Sequence, residues 1–230
     1  MIEEPPLLQI LTAASRWRPT QDQIAAFRGV PTGNICDAMG GSGALDMAIK
    51  PLPGLPKTIC GPALTVDCGA ADVLAIVAAM TEVQPGDILV QSVDGYQGCA
   101  ALGDMVSGMA KNAGAAGIVS EGPVRDLAGI VELNLPVFAT GINPNSPFGS
   151  GPGKVGHPIV VGGRPVASGD IVVGDGDGVV VIPFAQIDAT IAALADVQAA
   201  EAALEARVKD GMAYPEDIAE LVVSDRCKRT

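Results

Sequence analysis

Two aspartates and one arginine in this chain are spaced to act together on an oxygen-rich anion. Twenty residues separate Asp104 from the adjacent pair Arg125 and Asp126. A carboxylate is a hard ligand for a divalent ion such as Mg2+ or Mn2+, and a guanidinium is a planar fork of donors that matches a carboxylate or keto oxygen. The three residues together therefore suit a divalent metal plus an anionic substrate. Each also has a plainer use: an Arg-Asp pair in a loop serves as a structural ion pair, and Asp at a helix start serves as an N-cap.

The elements between them decide whether they can meet. GDMVSGMAKNA, from Gly103 to Ala113, is rich in small residues and compatible with helix, and GIVSEGPVRD at 117–126 reads as a buried strand leaving into a polar loop. A helix followed by a parallel strand returns the chain to its starting edge. Asp104, at the helix start, and Arg125 with Asp126, past the carboxyl end of the strand, are then expected in one pocket, where open α/β sheets place ligands.

Upstream, Thr20–Phe27 reads as a helix with Thr20 as N-cap, and Thr32–Met39 as a second short helix running into the glycine cluster at 40–43. Residues 60–68 read as strand, Ala71–Met80 as helix, and Asp87–Val93 as strand after the Pro85-Gly86 turn. Past the Arg-Asp pair the pattern shifts to strands at Pro136–Ala139, Val155–Val161, Asp170–Val173 and Gly178–Ile182, with little helix between them. Such a run suits an antiparallel or mixed sheet packed on the first half, within a single α/β domain spanning residues 1–230. The last long element, Phe184–Lys209, is an Ala-rich helix with Ile187, Ile191, Leu194, Val197 and Leu204 at helical spacing and Gly211 closing it. Its other face carries Asp196, Glu201, Glu205 and Arg207, carboxylates that a neighbouring subunit can use.

Composition narrows the function classes. With 48% hydrophobic residues in 230, the chain can bury a sizeable core, and only seven aromatics means that core is built from Ala, Val, Ile and Leu. A net charge of −12 without a basic patch argues against nucleic acid as a partner. Five cysteines without a CxxC pair read as reduced packing residues. The first residues, MIEEPPLLQI, lack the features of a signal peptide, and no apolar run approaches the ~18 residues of a membrane span, so a cytoplasmic protein is expected.

Five segments carry a resemblance: TGNICDAMG (32–40), GPALTV (61–66), PGDILV (85–90), GDMVSGMAKNAGAAGIVSEGPVRD (103–126) and SGDIVVGDGDGVVVIP (168–183). In this order they resemble the RraA-like family, which includes class II pyruvate aldolases acting on 4-hydroxy-4-methyl-2-oxoglutarate and 4-carboxy-4-hydroxy-2-oxoadipate, and the regulators of ribonuclease activity. The aldolases have Asp twenty residues before the Arg-Asp pair, whereas the regulators tend to have Gly there and an acidic residue three after the Asp. Asp104 and Gly129 put this chain on the aldolase side.

The resemblance implies a layered α-β-β-α sandwich of the swivelling β/β/α type. It also implies roles: Asp126 anchors Mg2+ or Mn2+, Arg125 contacts the keto and carboxylate oxygens of a pyruvyl group, and the main-chain amides of Gly103, Asp104, Met105 and Val106 bind the substrate carboxylate. Asp104 orients a water in the proton relay. A glutamate from the adjacent subunit's C-terminal helix joins the site, with Glu201 as the match and Glu205 as its rival one turn on. The implied activity is metal-dependent cleavage of a 4-hydroxy-2-oxo diacid to pyruvate, with oxaloacetate decarboxylation on the side. The partners implied are a small 2-oxoacid and other copies of the chain, in a trimer or hexamer. Two alternatives stay open: a non-enzymatic protein-binding ring of the regulator type, and a dedicated 2-oxoacid decarboxylase.

Other motifs point nowhere. His157 has no second histidine with which to hold zinc. GDGDG at 174–178 lacks the later acidic ligand of a calcium loop and reads as a turn, and no GKS or GKT follows the glycines at 40–43.

Overall fold

The computed structural model describes residues 6–229 of the chain. The expectation about a signal peptide falls partly on residues 1–5, outside the described residues.

Hydrophobic alternation builds four layers. The central strands are β3 (Ile59–Asp67), β4 (Ile88–Ser92), β5 (Gly117–Ser120) and β6 (Val137–Ala139), parallel and adjacent in that order. They send Leu64, Val66, Leu89, Ile118 and Val137 to one face, and Ala63, Ile88, Val90, Val119 and Phe138 to the other. This period of two is what a strand buried on both faces requires. The first face packs on helices α3 (Leu74–Ala79), α4 (Asp104–Ala113) and α5 (Leu127–Leu133), through residues such as Ile76, Ala110 and Ile130. The second face packs on β10 (Ile171–Gly174) and β11 (Val179–Ile182) through Val172, Val179 and Val181. The alternate residues of that pair, Ile171, Val173, Val180 and Ile182, meet helices α1 (Gln21–Ala25), α2 (Thr32–Ala38) and α6 (Ile187–Lys209). The order is helix, sheet, sheet, helix, as the resemblance implies.

Strand β3 belongs to both sheets: Ile59–Pro62 pair antiparallel with β10, and Ala63–Asp67 pair parallel with β4. At the main sheet's edges lie β1 (Leu8–Ile10), which pairs with β7 (Gly153–Val155), and β2 (Lys50–Pro51), which pairs with β6.

Several expected elements are changed. Thr20 caps α1 and forms a capping box with Gln23. Helix α3 starts at Leu74 rather than Ala71, because Ala71 is left-handed (φ 59°) and the Asp72 carboxylate accepts from Leu74 N (2.7 Å). Helix α5 lies where little helix was expected. The expected strand Val155–Val161 divides into β7 and β8 (Ile159–Val161): Gly156 turns the chain at φ 82°, and a Cβ there would stand 2.6 Å from the Leu11 carbonyl oxygen. Strand β8 forms a hairpin with β9 (Arg164–Val166). The last long helix starts at Ile187, after a short 3-10 turn at Phe184–Gln186, and is followed by α7 (Glu216–Val223), which has no buried residue. No helix among the described residues is long and apolar enough to cross a membrane, and the five cysteines are free.

Candidate active site

Backbone pairing brings Asp104 to Arg125. Past β5 the chain runs through Glu121–Val124 alongside Ala101–Leu102: Ala101 N donates to Pro123 O (2.7 Å), Arg125 N donates to Leu102 O (3.0 Å), and Leu102 and Val124 form a parallel bridge. Two residues on from Leu102, α4 begins with Asp104; Gly114 ends it in the left-handed conformation (φ 99°). Two residues on from Val124, Asp126 turns left-handed (φ 57°, ψ 43°) and opens α5. Aspartate tolerates this conformation better than most residues, and Ala71, Asp94 and Asn134 share it elsewhere in the chain.

Two glycines make room for the acidic side chains. A Cβ on Gly103 would stand 2.7 Å from Asp126 Oδ2 and 3.2 Å from Arg125 Cγ. Gly103 has an ordinary extended backbone (φ −137°), so space rather than conformation demands glycine. A Cβ on Gly129 would stand 2.6 Å from Asp104 Oδ2, so the Asp104 side chain lies across the α4–α5 junction in the volume that a side chain at 129 would fill.

The result is a cleft of about 320 Å³ lined by Gly103–Val106, Arg125 and Asp126, with Val73, Leu102, Ser146 and Pro147 completing the wall. Arg125 Nε stands 3.1 Å from Asp126 Oδ2, and Arg125 Nη1 donates to Ser146 Oγ (2.5 Å). Arg125 is 38% and Asp126 46% exposed, so both heads are open to a ligand. The first-turn amides of α4 face the same cleft, but Met105 N already donates to Asp104 Oδ1 (2.7 Å), which leaves fewer donors for an anion than the resemblance implies.

Larger hollows, of about 460 Å³ beside Asp175 and 470 Å³ beside Glu121, have acidic groups that are already engaged. Asp175 accepts from Thr32 N (2.8 Å), Thr32 Oγ1 (2.9 Å) and Asp177 N (2.8 Å). Glu121 Oε1 accepts from Ser92 Oγ (2.7 Å), Val93 N (2.9 Å) and Gly95 N (3.1 Å). These carboxylates hold the fold.

Within one chain Glu201 is not brought to the cleft. It sits on α6, in the helical layer beyond both sheets from α4 and α5, and accepts a hydrogen bond from Asn34 Nδ2. Glu205 pairs with Lys209 (2.6 Å) on the same helix. His157 also lies apart, its carbonyl accepting from Thr65 Oγ1 (2.7 Å). Among the described residues no three His, Cys, Asp or Glu side chains gather in one group that could hold a metal. Ser146 and Pro147 escaped the sequence reading, since the irregular segment INPNSPFGSG around them carries neither periodicity nor a charged residue.

Comparison with known proteins sets this geometry among relatives. The RraA-like family profile (Aldolase/RraA) matches residues 32–181. A Halalkalibacterium halodurans protein with the provisional name 4-hydroxy-4-methyl-2-oxoglutarate aldolase is 39% identical over 191 residues, covering 83% of this chain and 90% of its own. Streptomyces coelicolor RraAS2, described as an unusual member of the RNase ES inhibitor RraA family, superposes with a TM-score of 0.73 at 28% identity, over 83% of this chain and 100% of its own. The RNA-processing inhibitor RraA from Thermus thermophilis gives 0.61 at 27% identity, over 67% and 93%. With the four-layer sandwich, the paired 101–103 and 123–125 segments and these matches together, the chain belongs to the RraA-like family.

Proposed function

We propose that the chain is a divalent-metal-dependent aldolase that cleaves a 4-hydroxy-2-oxo diacid into pyruvate and a second 2-oxoacid. The observation that carries this reading is the convergence of Asp104, Arg125 and Asp126 on one cleft at the first turn of α4. The aldolase name of the 39% identical relative supports it.

The residues fit a Mg2+ or Mn2+ ion. The Asp126 carboxylate is 46% exposed in the cleft wall, with room made for it by Gly103, and a hard ion that keeps most of its waters needs only one or two such ligands. Asp126 would hold the ion, which supplies Lewis-acid polarisation of the 2-oxo oxygen. Arg125 holds the pyruvyl oxygens with its remaining N–H donors, and the free amides at the start of α4 receive the carboxylate. When the C4 hydroxyl loses its proton, the C3–C4 bond breaks, and its electron pair moves through C3 to the C2 oxygen to give the pyruvate enolate. Negative charge grows on that oxygen, where the Arg125 guanidinium stabilises it; one such donor commonly lowers the barrier by about 3 to 4 kcal/mol. Asp104 orients the water that carries the C4 proton. Glu201 of a neighbouring copy completes the relay, with Glu205 as its rival, in a trimeric or hexameric cytoplasmic enzyme. Oxaloacetate decarboxylation passes through the same enolate and is a side activity.

A second reading, a non-enzymatic ring that holds a protein partner, is favoured by the likeness to RraAS2 at a TM-score of 0.73. Release of pyruvate from 4-hydroxy-4-methyl-2-oxoglutarate, followed with Mg2+ and again with a chelator, separates the two. Turnover that disappears with the chelator is expected. Turnover that persists would remove the metal, and no turnover on this or related diacids would leave the binding protein. If oxaloacetate were the better substrate by kcat/KM, a dedicated decarboxylase would replace the aldolase.

A further inference from the structure

Resting on that reading, we propose that Ser146 is a positioning residue that fixes the plane of the Arg125 guanidinium from a wall built for the purpose. The arginine is held at two edges. Nε faces Asp126 Oδ2 at 3.1 Å on one side, and Nη1 donates to Ser146 Oγ at 2.5 Å on the other. Among the described residues Arg125 makes no other side-chain hydrogen bond, so Nη2 and the second Nη1 proton remain for a ligand. A guanidinium selects planar oxygen pairs only if its plane is fixed, and one contact at Nε leaves it free to tilt. The second contact, at Nη1, removes that freedom.

The segment bearing Ser146 has no regular structure, yet it is tied down on both sides. Before it, Asn143 N donates to Val124 O (2.8 Å), Asn143 Nδ2 to Gln97 O (2.9 Å), and Asn145 Nδ2 to Gly98 O (2.9 Å), while Asn145 O accepts from Ala100 N (3.0 Å). After it, Phe148 N donates to Ala71 O (2.7 Å) and Val73 N donates to Phe148 O (2.9 Å). The buried Asp72 carboxylate then accepts from Ser150 N (2.7 Å) and Gly151 N (2.9 Å). Only Ser146 and Pro147 span the interval between the two sets of ties, and both line the cleft. Proline removes one more freedom from that short span. An exposed serine held this firmly, opposite an arginine, is a preorganised acceptor rather than a loop residue that happens to touch it.

The test compares Ser146→Ala, Ser146→Thr and Arg125→Lys, singly and with Ser146→Ala combined with Arg125→Lys. The readouts are pyruvate release and calorimetric binding of oxalate, a planar dianion shaped like the enolate, to the Mg2+-loaded full-length protein. Loss of one hydrogen bond to a charged group should lower kcat about tenfold in Ser146→Ala, with KM changed less than threefold, and weaken oxalate by a similar factor. Threonine, which keeps the hydroxyl, should restore most of both. In the Arg125→Lys background, where an ammonium has no plane to fix, Ser146→Ala should cost less than twofold. Wild-type rates and oxalate affinity in Ser146→Ala, an equal loss in the lysine background, or a threonine variant no better than alanine would each overturn the proposal. Should the wild-type protein bind oxalate yet release no pyruvate, the aldolase reading would fail and the oxalate comparison would still decide the role of Ser146; a wild type that did neither would sink both.

Discussion

Asp175, in the turn from β10 to β11, and Asp126, in the turn from β5 to α5, are both acidic residues at a strand's end, but their oxygens are used differently. Asp175 accepts from Thr32 N, Thr32 Oγ1 and Asp177 N at 2.8 to 2.9 Å. Burial alone would raise its pKa, but those donors together hold its carboxyl below the usual 3.8. The Asp126 carboxylate accepts from no backbone amide among the described residues and pairs with the neighbouring Arg125. Asp72 and Asp170 follow Asp175, each closed by backbone N–H groups of a distant segment or turn. The difference teaches that acidity by itself marks nothing in a chain this negative; the carboxylates proposed to work are those with acceptor capacity left facing a cleft.

That contrast can be broken by mutation. Arg125→Ala should produce the largest effect, a fall in kcat of about 10²- to 10³-fold in a pyruvate-release assay, with the fold intact; a near-normal rate would remove the arginine from the mechanism. Asp126→Asn comes next. Losing a ligand should cost at least as much as losing a ligand's outer partner, about 10- to 100-fold in the Mg2+ concentration for half-maximal activity, and an unchanged metal titration would reject the assignment. Gly129→Ala sharpens the comparison from the other helix, since its Cβ would stand 2.6 Å from Asp104 Oδ2. It should lower kcat several-fold by displacing that carboxylate, and wild-type turnover would show that Asp104 has no fixed task.

Asp175→Ala should show the reverse profile, with turnover unchanged and stability lowered by about 1 to 2 kcal/mol in urea titration, as for a lost cap. The sign of its pH dependence follows from the lowered native pKa: the carboxylate stabilises the fold fully above the ordinary value of 3.8, and the contribution is lost as pH falls through the native value. The gap between wild type and Asp175→Ala should therefore be constant from pH 7 to 5 and close below pH 4. A gap that widened in acid would contradict the hydrogen-bond account.

The cleft was largely legible in the sequence because local rules position most of it. Small residues at 103–113 form α4, the apolar run at 117–120 forms β5, and the two alternate in the manner that returns a chain to one edge. Helix α5 was not legible: LAGIVEL is seven residues long, it follows a left-handed Asp126, and its apolar pattern serves strand or helix equally. The division between β7 and β8 depends on Gly156 passing close to the Leu11 carbonyl, a contact between distant parts of the chain. Ser146 was hidden for the same reason, since its placement comes from ties to residues 71–73 and 97–100 rather than from any propensity of its own. For α6 the apolar spacing held only through its first half: Ile187 and Leu194 are buried, whereas Leu204 is 47% exposed.

Strand β3 changes partners between Pro62 and Ala63, leaving β10 for β4. Proline at the hand-over lacks the amide that a continuous ladder would use, and the neighbouring Gly61 admits the Gly86 carbonyl, which a Cβ would meet at 2.4 Å. One rail thus carries both decks of the sandwich, and neither can be stripped away while the other stands. Amide protons of β4 and of β10 should consequently exchange with the same opening free energy, as parts of a single cooperative unit.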